Sequence, residues 1–268
     1  MLNCNVPLAP HNLLDNSNFA DLVAQAGLNG AHGSTAYIAD RWKSGNATAT
    51  ANSGYTTISS TEKAGRIVQM LPAAVAGKTV TAAAKVASAN TIYFGVYYIQ
   101  NSVSKYINNS FVSPNGVIMV SGAIPADATN IEFRIYTSYI DGGGSCNVYW
   151  AALYEGSYDA STLPAYQPKG YAAELAACQR YYKVIDVYVT PWLLERTDLR
   201  RYYVGYEPMR TKPTVDVSGL KEYATWTDLV STLNPYNIKN NRVLISATAE
   251  TTSTKIYMGG SIALSADL

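Results

Sequence analysis

Residues 149–182 read YWAALYEGSYDASTLPAYQPKGYAAELAACQRYY, and three successive parts of this stretch ask for three different backbone states. Val148, Trp150, Ala152 and Tyr154 alternate with Tyr149, Ala151, Leu153 and Glu155, the pattern of a strand with apolar groups on both faces. Pro164 and Pro168 disfavour helix for the residues before them, so Asp159 to Lys169 is expected to run extended over a surface as a tether. Beyond Gly170, Tyr171, Leu175, Cys178 and Tyr182 fall at i, i+4, i+7 and i+11, which places them on one face of a helix. Alanines fill much of the remainder. A short helix of this kind packs closely, either on a sheet of its own chain or on a copy of itself, and the second option makes these four residues candidate oligomer contacts. The stretch therefore divides the chain into 1–158, a linker with one short helix at 159–182, and 183–268.

Outward from this junction, the strand signals are frequent. Arg66 to Leu71 precedes Pro72, and Lys78 to Val86 alternates Val80, Ala82, Ala84 and Val86 against its neighbours. Thr91 to Gln100 (TIYFGVYYIQ) is rich in β-branched and aromatic residues, and Ser110 to Gly122 and Ala128 to Ile140 follow. The loop Asp141-Gly142-Gly143-Gly144-Ser145 calls for positive φ or a close backbone approach. Short strands with turn signals between them and no helical period indicate an antiparallel sandwich or jelly roll. After the junction, Lys183–Val189, Arg200–Tyr206, Thr214–Val217, Asn241–Glu250, Ser253–Met258 and Ser261–Leu264 read as strands of a second, smaller sandwich. Tyr223 to Asn241 reads as a long loop, and Gly259-Gly260 as a bulge or hairpin turn. The expected fold class is all-β.

Bulk properties narrow the function classes. With 268 residues and 48% hydrophobic composition the chain can bury two ordinary cores. A net charge of +1 gives no global field toward nucleic acid or anionic membrane, and no run of about 18 apolar residues spans a bilayer. The first thirty residues lack the basic start and apolar run of a secretory signal, so folding in a cytoplasm is expected. Cys4, Cys146 and Cys178 are too few and scattered for a disulfide framework or a zinc site, and His11 and His32 sit in no ligand-spaced cluster. No nucleophile elbow, P-loop or dinucleotide fingerprint occurs. A non-enzymatic role without metal or cofactor is expected.

The aromatic inventory is unusual, with 22 Tyr and four Trp against four Phe. Tyrosine couples a flat apolar ring to a hydroxyl at little rotamer cost, which suits adaptable recognition surfaces. Sugars offer axial hydrogen faces to such rings and hydroxyls to neighbouring polar groups. Tyr97, Tyr98, Tyr106, Tyr136 and Tyr139, with Asp141 beside the glycine loop, are the candidate ligand residues. Alternation sets Tyr97 and Tyr98 on opposite faces, so the same rings also suit core or subunit contacts. Trp42, alone after an Asp-Arg pair, reads as a core anchor.

Three short segments carry a family resemblance. Asn12-Leu13-Leu14-Asp15-Asn16-Ser17-Asn18-Phe19 with Asp40-Arg41-Trp42, then Glu174-Leu175 with Cys178-Gln179-Arg180-Tyr181-Tyr182, then Pro208-Met209-Arg210 with Pro213-Thr214-Val215, resemble bacteriophage tail-fibre and related virion appendage proteins. In that family the corresponding parts are a carbohydrate-binding-like jelly roll, a junction and a C-terminal β domain. The resemblance implies a virion-surface subunit, made in the host cytoplasm and assembled as a homotrimer with other virion proteins. It would attach to host-surface glycan. A capsid head-fibre or decoration subunit and a stand-alone carbohydrate-binding module are the alternatives.

Overall fold

The computed structural model describes residues 10–32, 35–112, 115–137, 142–191, 193–196, 199–224, 227–229, 232–248 and 256–266. Chain contacts divide it into two units, Met1–Ala31 with Thr35–Leu175, and His32–Ser34 with Ala176–Leu268.

Among the described residues, twelve strands come first in chain order: β1 (Ala31–His32), β2 (Thr35–Ala39), β3 (Trp42–Gly45), β4 (Thr48–Asn52), β5 (Tyr55–Ser60), β6 (Arg66–Met70), β7 (Thr79–Ala87), β8 (Ile92–Gln100), β9 (Val103–Val112), β10 (Asn115–Ala123), β11 (Thr129–Tyr136) and β12 (Gly144–Glu155). They form a seven-stranded sheet in the order β1-β2-β3-β6-β11-β8-β9 and a five-stranded sheet in the order β10-β7-β12-β5-β4. From β5 to β12 the chain crosses between the two sheets at every step except the β8–β9 hairpin, which stays in one sheet, in the winding of a jelly roll with β10-β7-β12-β5 facing β6-β11-β8-β9. Strands β1 to β4 extend the two layers.

Alternation decides which side chains lie between the layers. Ile92, Phe94, Val96 and Tyr98 of β8 meet Ile131, Phe133 and Ile135 of β11, and Val80, Ala82, Ala84 and Val86 of β7, in one buried cluster. Trp42 is fully buried in it, its ring 5.0 Å from Phe19 and 5.9 Å from Phe133. Its indole N–H donates to the Asn16 carbonyl at 2.7 Å, as a buried Trp requires. The anchor reading of Trp42 is correct.

The hairpin joining β8 to β9 was not legible as such, because the sequence places its next strand at Ser110. Its loop is only Asn101-Ser102, both at positive φ, the conformation of a type I′ turn. Serine at the position where glycine usually signals that turn hid it. The glycine-rich loop did behave as expected. Gly143 has φ +116, and a Cβ there would stand 2.9 Å from the Ser60 carbonyl oxygen.

The junction is not a free tether. Tyr166 stacks on Trp150 with centroids 4.8 Å apart, and Lys169 Nζ donates to the Leu14 carbonyl at 2.9 Å. Helix α1 (Tyr171–Cys178) follows, and its inward face differs from the apolar stripe read in the sequence. Glu174 and Cys178 are buried, Leu175 is half-buried, and Tyr171 is exposed. Glu174 accepts the backbone N–H groups of Asn16 at 2.7 Å and Ser17 at 3.4 Å, donors left over by the left-handed turn at Asn16. The helix stops at Cys178, so Tyr182 opens a strand instead of closing a fourth helical position.

Among the described residues, nine strands build the second unit: β13 (Tyr182–Val189), β14 (Leu193–Arg196), β15 (Leu199–Gly205), β16 (Thr214–Asp216), β17 (Leu220–Ala224), β18 (Thr227–Leu229), β19 (Thr232–Tyr236), β20 (Arg242–Thr248) and β21 (Ile256–Ser265). One sheet runs β13-β21-β17-β18 with β16 also on β21, and the other runs β14-β15-β20-β19. Val187, Leu220, Met258 and Ile262 from the first sheet share a core with Tyr202, Val204, Val243 and Ile245 from the second. Arg200 of β15 and Glu222 of β17 are fully buried and cross this core as a bidentate pair at 2.8 and 2.7 Å, with the Tyr202 hydroxyl also donating to Glu222.

Two expectations fail here. The segment 223–241 is not one loop, because it holds the end of β17 with β18 and β19. Strand β19 contains Pro235, which reads as a strand breaker but is tolerated because β19 is the last strand of its sheet. Gly259-Gly260 is neither bulge nor turn. It lies inside β21, in unbroken register with β13 on one side and β17 on the other. Gly260 has φ +120, and a Cβ there would fall 2.2 Å from the Gly219 carbonyl oxygen. Glycine at 260 answers a close backbone approach within one strand.

Candidate functional site

On the face of the seven-stranded sheet turned away from the core, β8 contributes Tyr93 and Tyr97, β9 contributes Tyr106, and β11 contributes Glu132, Arg134 and Tyr136. Register brings them together: Tyr97 pairs with both Glu132 and Tyr106, while Arg134 pairs with Gly95, which puts no side chain in its way. The Arg134 guanidinium lies 3.5 Å from the Tyr97 ring centroid. Its Nη1 donates to the Tyr106 hydroxyl at 2.9 Å and the Tyr136 hydroxyl at 3.2 Å, and its Nε to Glu132 at 2.6 Å. The two hydroxyls are themselves 2.9 Å apart. Tyr93 presses edge-on to Tyr106 and Tyr136 at 4.7 and 5.4 Å, and the Tyr97 hydroxyl meets Ser104 Oγ at 2.8 Å.

The electrostatics follow from this packing. Burial, then the adjacent Tyr136 hydroxyl, pushes Tyr106 well above the ordinary phenol range, against the pull of Arg134. Burial alone would lower Arg134, but the Glu132 carboxylate outweighs it and keeps the guanidinium charged. Tyr93 and Tyr136 are buried beneath the half-buried Tyr97, Tyr106, Glu132 and Arg134, so the face holds fixed ring edges, phenol oxygens locked by one cation, and a half-buried carboxylate. That arrangement is suited to binding a polar ligand with apolar faces, through hydrogen bonds and ring contact.

Among the residues singled out from sequence, Tyr97, Tyr106 and Tyr136 meet in this cluster. Tyr98 points the other way and is buried in the core of the jelly roll. Tyr139 and Asp141 lie outside the described residues. Of the helix residues, Tyr171 is exposed and Cys178 fully buried. Tyr182 is buried, with its ring stacked 3.6 Å from that of His32, which groups with the second unit. Arg134, Glu132 and Tyr93 were missed. The available signal was period-two alternation, which puts Glu132, Arg134 and Tyr136 on one face of β11 and Tyr93 with Tyr97 on one face of β8.

A shallow groove of about 370 Å³ opens at the end of the five-stranded sheet, lined by Ala87, Ser88, Ala89, Asn115, Ser145 and Asn147. Part of its polar lining is engaged: Thr57 donates to Asn147 Oδ1 at 2.8 Å, and Ser88 to the Ser145 carbonyl at 2.8 Å. Among the described residues, no group of three or more His, Cys, Asp or Glu side chains comes together for a metal ion. No described helix is long and apolar enough to cross a membrane.

Fold and face together define the class: an all-β chain with a jelly-roll sandwich, a second β-sandwich and a tyrosine–arginine surface on the first. No family model matches the chain, and no curated protein does. Among solved structures, the C-terminal family 22 carbohydrate-binding module of Clostridium thermocellum Xyn10B is 19% identical, with TM-score 0.37, over 47% of this chain and 89% of its own. The tandem family 22 modules of Paenibacillus barcinonensis Xyn10C cover 97% of this chain and 98% of their own at 11% identity and TM-score 0.38. The enzymatically active domain of tailspike protein 4 from bacteriophage CBA120 matches 54% of this chain and 21% of its own, at 11% identity and TM-score 0.36. At these scores and identities none of the three assigns a ligand to this chain.

Proposed function

We propose that this chain is a virion-surface attachment subunit that recognises host glycan through the outward face of its jelly roll. The observation that carries the reading is the cluster of Tyr97 and Tyr106 around Arg134, seated on the buried Tyr136, where ring edges and phenol oxygens are held in place before any ligand arrives. Preorganisation of this kind reduces the ordering cost of binding a flexible, hydroxyl-rich chain. The three sequence segments that resemble phage appendage proteins support the virion setting and a homotrimeric assembly.

The test is a glycan array on the full chain, followed by calorimetry with the best ligand. Tyr97→Ala is expected to weaken binding at least tenfold, and Arg134→Lys to do the same because lysine cannot engage two phenols and a ring at once. Unchanged affinity in both folded variants would overturn the site. Light scattering addresses the assembly: three times the 28.9 kDa chain mass supports the appendage reading. A single-chain mass with glycan affinity retained would make it a stand-alone module.

A further inference from the structure

The second sandwich carries a cationic groove that the reading above does not use. On β15, Arg200, Tyr202 and Val204 face inward, so Arg201, Tyr203 and Gly205 face outward. Strand β20 likewise turns Val243, Ile245 and Ala247 inward and Arg242, Leu244 and Ser246 outward. Register sets Tyr203 against Leu244, and Leu244 against Tyr236 of β19. Leu244 is therefore an apolar position between two tyrosines. Gly205, opposite Arg242, adds no side chain, and the Tyr203 ring leans over it, 3.3 Å from where a Cβ would stand.

Tyr203, Leu244, Arg242 and Asn237 line a groove of about 230 Å³. The loop that carries Asn237 is pinned: the Tyr206 hydroxyl donates to the carbonyls of Lys239 and Arg242 at 2.7 and 3.1 Å, and Asn237 sits at φ 47. Tyr203 is 46% exposed, so one ring is open to the groove's mouth. Among the described residues, no carboxylate pairs with the Arg242 guanidinium. None of the outward positions of β15, β19 and β20 carries an acidic side chain. The Arg201 guanidinium stands 5.8 Å over the Tyr236 ring, and the buried Tyr236 hydroxyl has no hydrogen-bond partner among the described residues.

We infer that this groove binds a carboxylate-bearing sugar, of the uronic or sialic acid type, as a second glycan site independent of the jelly-roll face. Arg242 supplies a planar cation that matches a carboxylate in a two-point contact. Leu244 and Tyr203 supply an apolar surface for the ring face, and Asn237 supplies both a donor and an acceptor for hydroxyls. The volume admits about one sugar ring, so the site reads a single residue of a longer chain. A simple anion such as phosphate satisfies the arginine but leaves the apolar part of the groove unused. That distinguishes a sugar site from a general anion site.

The experiment uses the full chain with glucuronic acid, N-acetylneuraminic acid, glucose and inorganic phosphate as probes, read by ligand-observed saturation-transfer NMR and titration. At least one acidic sugar is expected to bind at millimolar concentration, glucose not to bind, and phosphate not to displace the sugar at equal concentration. Arg242→Gln and, separately, Tyr203→Ala should each weaken acidic-sugar binding at least fivefold, whereas Tyr97→Ala on the jelly roll should leave it unchanged. Circular dichroism confirms that each variant is folded. If neither acidic sugar binds, if phosphate displaces it fully, or if both groove variants bind like the parent chain, the inference is overturned. Loss in Tyr97→Ala alone would also overturn it, by assigning acidic-sugar binding to the other face.

Discussion

Arg200 and Glu222 are the residues whose chemistry is least expected where they sit. Both side chains are fully inaccessible, yet both are charged, and each is the other's neutralising partner across the second core. A buried pair of this kind contributes little net stability relative to apolar residues, but removing one member takes away the opposite charge that offsets the other's desolvation. Glu222→Gln is therefore expected to destabilise the second sandwich by about 3–5 kcal/mol. The double change Arg200→Met with Glu222→Leu should cost far less than that single change. Urea denaturation of the parent and both variants decides between them; equal losses would contradict the account. Nothing in the sequence marks the pair, because alternation predicts that Arg200 shares a face with Tyr202 and Val204 but cannot name a partner 22 positions away.

At the scale of elements, β21 is the strand on which the second sandwich depends, since it pairs with β13, β16 and β17. Its Gly260 stands where φ is positive and a Cβ would collide with the Gly219 carbonyl. Gly260→Ala should cost on the order of 1–3 kcal/mol from backbone strain alone, more if the Gly219 turn has to move. Gly54→Ala, at φ +85 but in open space, serves as a strain-only comparison and should cost less. Thermal denaturation measures both; equal shifts would remove the steric argument. Strands with clean alternation, such as β7, β8 and β13, were legible because each buries one face or both. Strand β9 and strand β19 were not, since a non-glycine type I′ turn and an edge proline carry no strand signal of their own. Helix α1 was legible as a helix but not in its facing, because Glu174 is drawn inward by two backbone donors that come from far earlier in the chain. The candidate face was legible in part for the same reason. Tyrosines on adjoining strands can be listed from sequence, but Arg134 becomes their centre only through register.

For the whole molecule, tyrosine ionisation provides a common readout. Burial pushes Tyr166 from 10.0 up to about 12, and burial likewise raises Tyr106, Tyr154, Tyr202 and Tyr206. A group whose folded value lies above its unfolded value favours the protonated form in the fold. Its stabilisation is complete below pH 10 and is lost as pH rises toward and through the folded value. The chain should therefore lose stability steeply above pH 10. Absorbance near 295 nm is expected to show exposed phenols ionising first and the buried ones only together with loss of the far-ultraviolet dichroism signal. Ionisation of all 22 near pH 10 with the dichroism intact would contradict the packing described.

Strand β12 lies between β7 and β5 in its sheet, although it is the last of the twelve to be made, and it also bonds the opening residues through Asn18 and Trp150. During synthesis the jelly roll cannot close until that strand has left the ribosome. At about 5–20 residues per second, the earlier strands wait on the order of ten seconds with the central place of a sheet empty. In that interval the nascent chain presents paired but unfinished edges, which makes the crowding of neighbouring copies on one message a direct hazard to its yield.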